Sequence, residues 1–434
     1  MEDSRIDFSN SVQDLQSELT SIIRVIGVGG AGGSAVKNMI EIGIEGVNYI
    51  VANTDKQALD QNPAPIKVQL GPSITKGLGC GCVPQKGKEC AIESIEEIKA
   101  VLQGAEMLFV TAGMGGGTGT GAAPIIAKTA KDMGILTIGI VSIPYKREQP
   151  KKIKAAIEGV KEMEASSDAV LVVNNERLHD IYGDLPHRKA LKCADGVLAT
   201  ATKSLAEIIT VYGDSNVDFA DVSSALKDSG VALIGTGTAR GEDRAVEAVK
   251  NAITSPLLNN NDIRGSHWVL VNIFSSEEHE MLESEFDKIM GYVSNIAGGN
   301  EENFAVKYGT GIDESLGDEL RVTIVAAGFS DSIFNENTQK EDMLVVDINE
   351  PENDEDEAAS RKVIDLTDAD ETANAEKKII AQLYDNVRSS VVQEETYDTR
   401  MLAAPQILPY EQLLNKGILQ TIENVPAYQR RAAK

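Results

Sequence analysis

Residues 115–121 read Gly115-Gly116-Gly117-Thr118-Gly119-Thr120-Gly121, five glycines in seven positions. Backbone stripped of side chains can bring its amides close to a polyphosphate, and glycine tolerates the positive φ such a segment needs. The two threonines add hydroxyls. Upstream, Met107-Leu108-Phe109-Val110-Thr111 reads as a buried strand. Downstream, Ala122 to Met133 has the apolar spacing of a helix. The glycines therefore feed a helix N-terminus, where the backbone dipole favours anions. A flexible linker would not sit between a buried strand and a strong helix, and it would rarely omit serine.

A second glycine-rich stretch, Gly27-Val28-Gly29-Gly30-Ala31-Gly32-Gly33, closes the apolar run that starts at Ile22. A helix is expected from Ser34 to Ile42, stopped by Gly43. A strand follows from Val47 to Ala52, closed by Asn53-Thr54-Asp55. Strands at 136–142 and 169–173 continue the alternation. This order predicts an α/β fold, a parallel sheet wrapped on both faces with its ligand site at the carboxyl ends of the strands. A long helical run then spans Leu185 to Ile209. A helix from Asp221 to Ser229, with Asp221 as its N-cap, and strands at 268–273 and 321–327 around a helix at 278–292 predict a second, smaller α/β unit.

Gly27, Gly29 and Gly32 match the G-x-G-x-x-G fingerprint, and Asp55 stands where a ribose-binding acid follows it. By itself that pattern fits an NAD-dependent oxidoreductase. A single pyrophosphate needs one such loop, however, and two loops on one sheet edge suit a nucleoside triphosphate. The usual P-loop pattern, G-x-x-x-x-G-K-[ST], does not occur.

The formal charge of −26 argues against binding of nucleic acid or anionic membrane by the body of the protein. No stretch reaches transmembrane length, so no direct membrane insertion is expected. Glu2, Asp3 and Asp7 do not fit a signal peptide, and four cysteines fit a reducing compartment, so a cytoplasmic protein is expected. Cys80, Cys82 and Cys90 cluster without a fourth ligand nearby, and the segment around them alternates glycine with small residues. No metal site is expected there. Between Asp331 and Arg400, twenty acidic residues face seven basic ones, half the net charge of the chain. Such a stretch cannot bury enough surface to offset its ordering entropy, and reads as a disordered acidic linker. Apolar residues return at Ile418, and Val425-Pro426-Ala427-Tyr428-Gln429-Arg430-Arg431 reads as a docking peptide on a tether.

Several of these segments resemble the tubulin/FtsZ family, in its bacterial cell-division branch. Gly113-Met114-Gly115 through Gly121 is similar to the family signature, as is Asn216-Val217-Asp218-Phe219-Ala220-Asp221-Val222. Asn53-Thr54-Asp55, Thr75-Lys76-Gly77-Leu78-Gly79, Ala239 to Ala245 and Ser255-Pro256-Leu257-Leu258 also fit, and the likeness covers about residues 22–330. It implies a GTPase that polymerises head to tail and forms the division ring at mid-cell. The implied fold is a Rossmann-like GTPase domain, a long central helix, a smaller α/β domain and a disordered acidic C-terminal linker. The expected boundaries are a flexible tail at 1–20, the GTP domain at 21–184, the central helix at 185–212, the second domain at 213–330, the linker at 331–417 and the docking peptide at 418–434. Implied partners are a second copy of the chain and, through 418–434, membrane-tethering and regulatory division proteins.

The resemblance also implies roles. Gly30, Ala31, Gly32, Gly33 and Ser34 form a first phosphate loop, and Gly116, Gly117, Thr118, Gly119 and Thr120 a second. An aspartate placed at Gly117 is expected to point into this cradle. Glu148 would contact the ribose, Asn175 the sugar and base, and Asp195 the guanine edge. Lys152 stands where many members carry arginine, and an ammonium cannot make the bidentate contact of a guanidinium. GTP and GDP are the expected ligands, with Mg²⁺ on the phosphates. Asp218 and Asp221 would polarise the attacking water and Asn216 help place it, all three acting on the nucleotide of the next subunit. A GTP-binding scaffold with little turnover is the remaining alternative.

Overall fold

The computed structural model describes residues 21–44, 46–176, 187–210, 217–255, 263–297 and 304–329, and for 187–195 the backbone alone. The expectations for residues 1–20, Asn216, the acidic stretch and the closing peptide fall outside these residues. In chain order the first domain contains β1 (Ile23–Val28), α1 (Gly29–Ile42), β2 (Val47–Asn53), α2 (Lys56–Asp60), β3 (Ile66–Gln69), α3 (Pro72–Thr75), α4 (Pro84–Glu93), α5 (Ile95–Leu102), β4 (Met107–Gly113), α6 (Thr118–Asp132), β5 (Leu136–Ile143), α7 (Pro150–Ser166) and β6 (Ala169–Asn174). The long helix α8 (His187–Thr210), α9 (Phe219–Leu226) and the short strand β7 (Gly230–Val231) follow.

The seven strands form one sheet in the order β3-β2-β1-β4-β5-β6-β7, every pair parallel. Every residue of β1, β5 and β6 is buried, as expected of strands covered on both faces. One of them is charged. Arg24 in β1 is 2% exposed and donates to the carbonyls of Val101 and Gln103, so a cation sits at the C-terminal end of α5.

Three differences from the sequence reading matter. First, α1 and α6 begin inside the glycine segments, at Gly29 and Thr118, not after them. Glycine lowers helix propensity, but here its missing side chain permits contact. A Cβ on Gly32 would lie 2.3 Å from the Thr111 carbonyl oxygen, and one on Gly119 2.5 Å from that of Gly113. Second, the last strand of the first sheet lies beyond the long helix: Gly230 pairs with Ala169 and Val231 with Val170. Third, the cap of α9 is Asp218, whose side chain accepts from the Asp221 amide. Asp221 stands in the first turn.

The second sheet contains β8 (Leu233–Ala239), β9 (Ser266–Ser275), β10 (Ala305–Ile312) and β11 (Leu320–Phe329) in the order β10-β9-β11-β8. β10 is parallel to β9, and β11 runs antiparallel to β9 and β8. Helices α10 (Arg244–Ile253) and α11 (Glu283–Ala297) contribute to its apolar core. They are joined by a buried pair: the Arg244 guanidinium meets Glu285 at 2.8 and 3.0 Å, and also reaches the carbonyls of Glu280 and Asp318. Leu198 and Leu205 of α8 share one core with Val25 and Ile138 of the first sheet and Leu270 and Val325 of the second. The long helix is thus buried against both sheets. Among the described residues no helix is long and apolar enough to cross a membrane.

Candidate nucleotide site

β1 and β4 are adjacent and parallel, with Val28 opposite Ala112, so the segments that leave them emerge side by side. On either side of this pair the chain moves outward in opposite directions, which makes it the switch point of the sheet. Both glycine-rich helix starts are delivered to this one place. Between them lies a cavity of about 300 Å³ lined by Gly30, Ala31, Gly116, Gly117, Thr118, Gly119, Glu148, Lys152 and Asn175, all expected from sequence. Val28, Gly113, Met114, Ser142 and Pro144 complete it. Those five were missed, although the strand-end rule points to them: they close or follow β1, β4 and β5. A neighbouring recess of about 520 Å³ shares Glu148 and Lys152 and reaches Cys82, Val83 and Arg147.

The glycines of the cradle have different jobs. A Cβ on Gly30 or Gly116 would meet nothing within 4 Å, so both keep open volume. Gly115 has φ 96, which only glycine adopts readily. A Cβ on Gly117 would lie 2.8 Å from Cys80 Cβ and 3.0 Å from the Val83 amide nitrogen. The expectation that an aspartate there points into the cradle is therefore corrected. Position 117 faces the segment 80–83, and position 116 faces open space. Gly32, in the first turn of α1, is packed against Gly27 and Thr111. The Gly33 carbonyl accepts from Asn62, Ser34 is exposed, and the Thr120 hydroxyl accepts from the Gly115 amide. These four shape or flank the cavity without lining it.

Thr118 is fixed from behind. Its hydroxyl shares a 2.7 Å hydrogen bond with that of Thr54, which is fully buried, and the Cys80 thiol lies 3.4 Å from the same Thr54 oxygen. Burial and the Cys80 thiol beside it push the Cys90 thiol up to about 11, so Cys90 behaves as a neutral packing group. Asp55, needed on a ribose by the dinucleotide reading, instead accepts from the Ala58 amide as the cap of α2. Glu148 accepts from the Tyr145 amide at 3.1 Å and pairs with Lys152 at 2.6 Å. Among the described residues the one cation on the lining is thus already matched by the one carboxylate, and the backbone amides are left as the principal anion donors. Asp195 lies on α8, and only its backbone is described. Among the described residues no three His, Cys, Asp or Glu side chains converge as a metal site would need.

Asp218 and Asp221 are nowhere near this cavity. α9 leads into β7, whose first residue pairs with Ala169 at the amino end of β6. Phe219, Ser223 and Asp228 line a recess with Glu106, Leu136 and Asp168, the residues that precede or open β4, β5 and β6. α6 measures the gap. It starts on the cavity at Thr118, and Lys131 near its other end pairs with Asp228 at 2.7 Å. Fifteen helical residues span about 22 Å.

A switch-point cavity framed by two glycine-rich helix N-termini, above a long helix shared with a second sheet, defines a nucleotide-binding protein of the tubulin type. The model for the tubulin/FtsZ family GTPase domain matches residues 22–183, and that for the FtsZ C-terminal domain matches 230–330. The cell division protein FtsZ of Porphyromonas gingivalis is 40% identical over 99% of this chain and 89% of its own. That of Pseudomonas aeruginosa is 45% identical over 71% of this chain and 77% of its own. An empty FtsZ dimer from M. jannaschii superimposes with a TM-score of 0.66 at 38% identity, covering 74% of this chain and 92% of its own. A GTPγS-bound protofilament of CetZ2 from Haloferax volcanii, at 23% identity, shares the fold with a TM-score of 0.61, covering 71% and 94%. The chain belongs to the FtsZ family, and its first domain is that family's GTPase domain.

Proposed function

We propose that this GTPase polymerises head to tail to build the cell-division ring, and that each active site is completed by two chains. One chain holds GTP between the N-termini of α1 and α6, with Gly30, Ala31 and Gly116 to Gly119 around the phosphates. Glu148 takes the ribose, Asn175 the sugar and base, and Asp195 the guanine N1–H and amino group. Lys152 adds charge at the rim. Mg²⁺ arrives with the nucleotide as part of the substrate, held by phosphate oxygens and water. The next chain supplies Asp218, Asp221 and Asn216. The two aspartate carboxylates accept hydrogen bonds from a water that Asn216 helps to place. The water oxygen attacks the γ-phosphorus, and its proton passes to the carboxylate and on to the released phosphate. The bond to the bridging oxygen breaks and GDP leaves with that electron pair.

The observation that carries this reading is distance. The carboxylates sit at the amino edge of the sheet and the cavity at its carboxyl edge, about 20 Å apart by the seven residues of β4. A chain cannot bring its own aspartates to its own GTP, but a neighbour stacked end to end can. Leu78, 85% exposed, and Val83 stand out beside the segment that backs Gly117, apolar surface of the kind a second copy covers. The likeness to an FtsZ dimer supports self-association of the chain. The peptide 418–434 would recruit membrane-tethering and regulatory division proteins to a cytoplasmic ring at mid-cell.

Mixing tests it. Asp221→Asn should bind GTP and assemble but hydrolyse slowly. Gly116→Asp should fail to bind GTP. Together they should recover turnover, because the intact loop of the second meets the GTP held by the first. Turnover per chain that stays constant on dilution, with no recovery on mixing, would place the whole site in one subunit.

A further inference from the structure

Asp221 is held by a cation that plays no part in the reading above. Lys307, on β10 at the edge of the second sheet, places Nζ 2.9 Å from Asp221 Oδ1. The register sets Lys307 opposite Leu270 and Ala305 opposite Trp268. Leu270 and Trp268 pack in the core that includes Phe219 and Val222 of α9. Because side chains alternate along a strand, the face of β10 that carries Lys307 is the one turned to α9. Sheet register, and not only the reach of a long side chain, delivers the ammonium to the carboxylate. Asp218 is engaged differently, since its Oδ1 accepts from the Asp221 amide as the helix cap.

We infer that Lys307 is a positioning residue for GTP hydrolysis: its ammonium holds Asp221 Oδ1, leaves Oδ2 to orient the water, and offsets negative charge that the loop carries toward the triphosphate of the neighbouring chain. The inference rests on the shared-site reading. Two carboxylates pressed against a polyanion repel it, and repulsion between close like charges is costly where water is excluded. A lysine in contact with one of them lowers the charge of the incoming loop from two to one. Lysine donates in three directions, so it can keep Asp221 while turning a remaining N–H toward a phosphate oxygen. The pair is partly exposed, with side chains 45% and 32% accessible, so it adds little to folding stability and its loss should leave the chain folded.

The test uses the full chain with GTP and reads three quantities: phosphate release per polymerised chain, GTP affinity and assembly threshold. Lys307→Met should lower turnover about tenfold, a fraction of what a positioned acid–base group supplies, with affinity and threshold unchanged. Lys307→Arg should restore most of the rate. In an Asp221→Asn background, Lys307→Met should change the remaining rate less than about twofold, the behaviour of two residues acting as one unit. Wild-type turnover in Lys307→Met, or an equal proportional loss in both backgrounds, overturns the role of Lys307 and leaves the shared site standing. A Lys307→Met chain that no longer assembles also overturns it, because the lysine would then hold the interface. Wild-type turnover in Asp221→Asn alone removes the shared-site reading and this one with it.

Discussion

Two neighbouring glycines should fail in different ways when substituted. Gly116 has no atom within 4 Å of where its Cβ would be, and its φ is not in the left-handed region, so Gly116→Asp fits without strain. Its carboxylate then stands in the cavity. With an effective dielectric of about 20 and a separation of about 5 Å, each phosphate charge it faces costs about 3 kcal/mol. One such charge alone corresponds to roughly a hundredfold loss of affinity. Gly117→Ala adds no charge but sets a methyl 2.8 Å from Cys80 Cβ and 3.0 Å from the Val83 nitrogen. Overpacking of this kind costs about 1–3 kcal/mol, which for a body of this size lowers Tm by a few degrees. Nucleotide competition binding and thermal unfolding separate the two. Gly116→Asp should melt near wild type in the absence of GTP and gain little from adding it. Gly117→Ala should melt lower and still be stabilised by GTP. A Gly116→Asp protein that binds GTP within about threefold of wild type would refute the placement of the phosphates.

Glu285→Gln should destabilise the second domain by about 3–5 kcal/mol by leaving Arg244 buried without its counter-charge, measured by urea unfolding. Hydrogen bonding to Arg244 holds the Glu285 carboxyl below its ordinary value, so its contribution is complete above the usual glutamate range and is lost as pH falls through the lowered one. The wild-type midpoint should therefore drop on acidification, and that of Glu285→Gln should drop less. Thr54→Val should keep the fold but weaken GTP binding about fivefold to tenfold, because the Thr118 hydroxyl loses a bond worth about 1 kcal/mol and its fixed direction. Thr54→Ser should bind as wild type. Asp195→Asn should shift base preference from GTP toward xanthosine triphosphate, read by competition. Deleting 418–434 should leave assembly and turnover intact while abolishing capture of a membrane-tethering partner, and a truncated chain that cannot polymerise would refute the tether reading.

The first sheet was legible because parallel strands announce themselves as apolar runs, and β1, β4, β5 and β6 all do. β7 was not, since two residues carry no period, and only pairing with Ala169 and Val170 makes Gly230–Val231 a strand. β8 was hidden by its glycines. A Cβ on Gly237 would lie 2.3 Å from the Ala248 carbonyl oxygen, so the residue that reads as a strand breaker is what lets α10 lie directly on the strand. At the site, composition marked the cradle but could not orient it. Gly116 and Gly117 are identical letters, and only the fold says that one faces the cavity and the other Cys80. Three residues apart and both acidic, Asp218 and Asp221 could each cap a helix; the sequence reading takes Asp221, and the backbone of α9 makes Asp218 the cap. Lys307, a charge in an edge strand, has the look of a device against edge pairing, and its link to Asp221 lies 86 residues away in sequence.

The way charge is distributed explains why hydrolysis should wait for assembly. The chain carries a net −26, and among the described residues the cavity's only lining cation, Lys152, is already paired with Glu148. Binding of a triphosphate therefore falls to amides at two helix N-termini, which supply partial charge and no proton-transfer group. Such a cradle can hold GTP without activating water. The acids proposed to activate it, Asp218 and Asp221, would weaken GTP binding if they sat in the same cavity, and the fold keeps them about 20 Å away, at the far end of the strands. Separating the two requirements leaves no need for a conformational gate inside one chain. In the proposed shared site the gate is the arrival of the neighbour, and its cost in charge repulsion falls on the step where Lys307, paired with Asp221, would offset it. Turnover should then rise more steeply than linearly with concentration near the assembly threshold. A chain whose two functions lay on one edge of the sheet would have no reason to behave so.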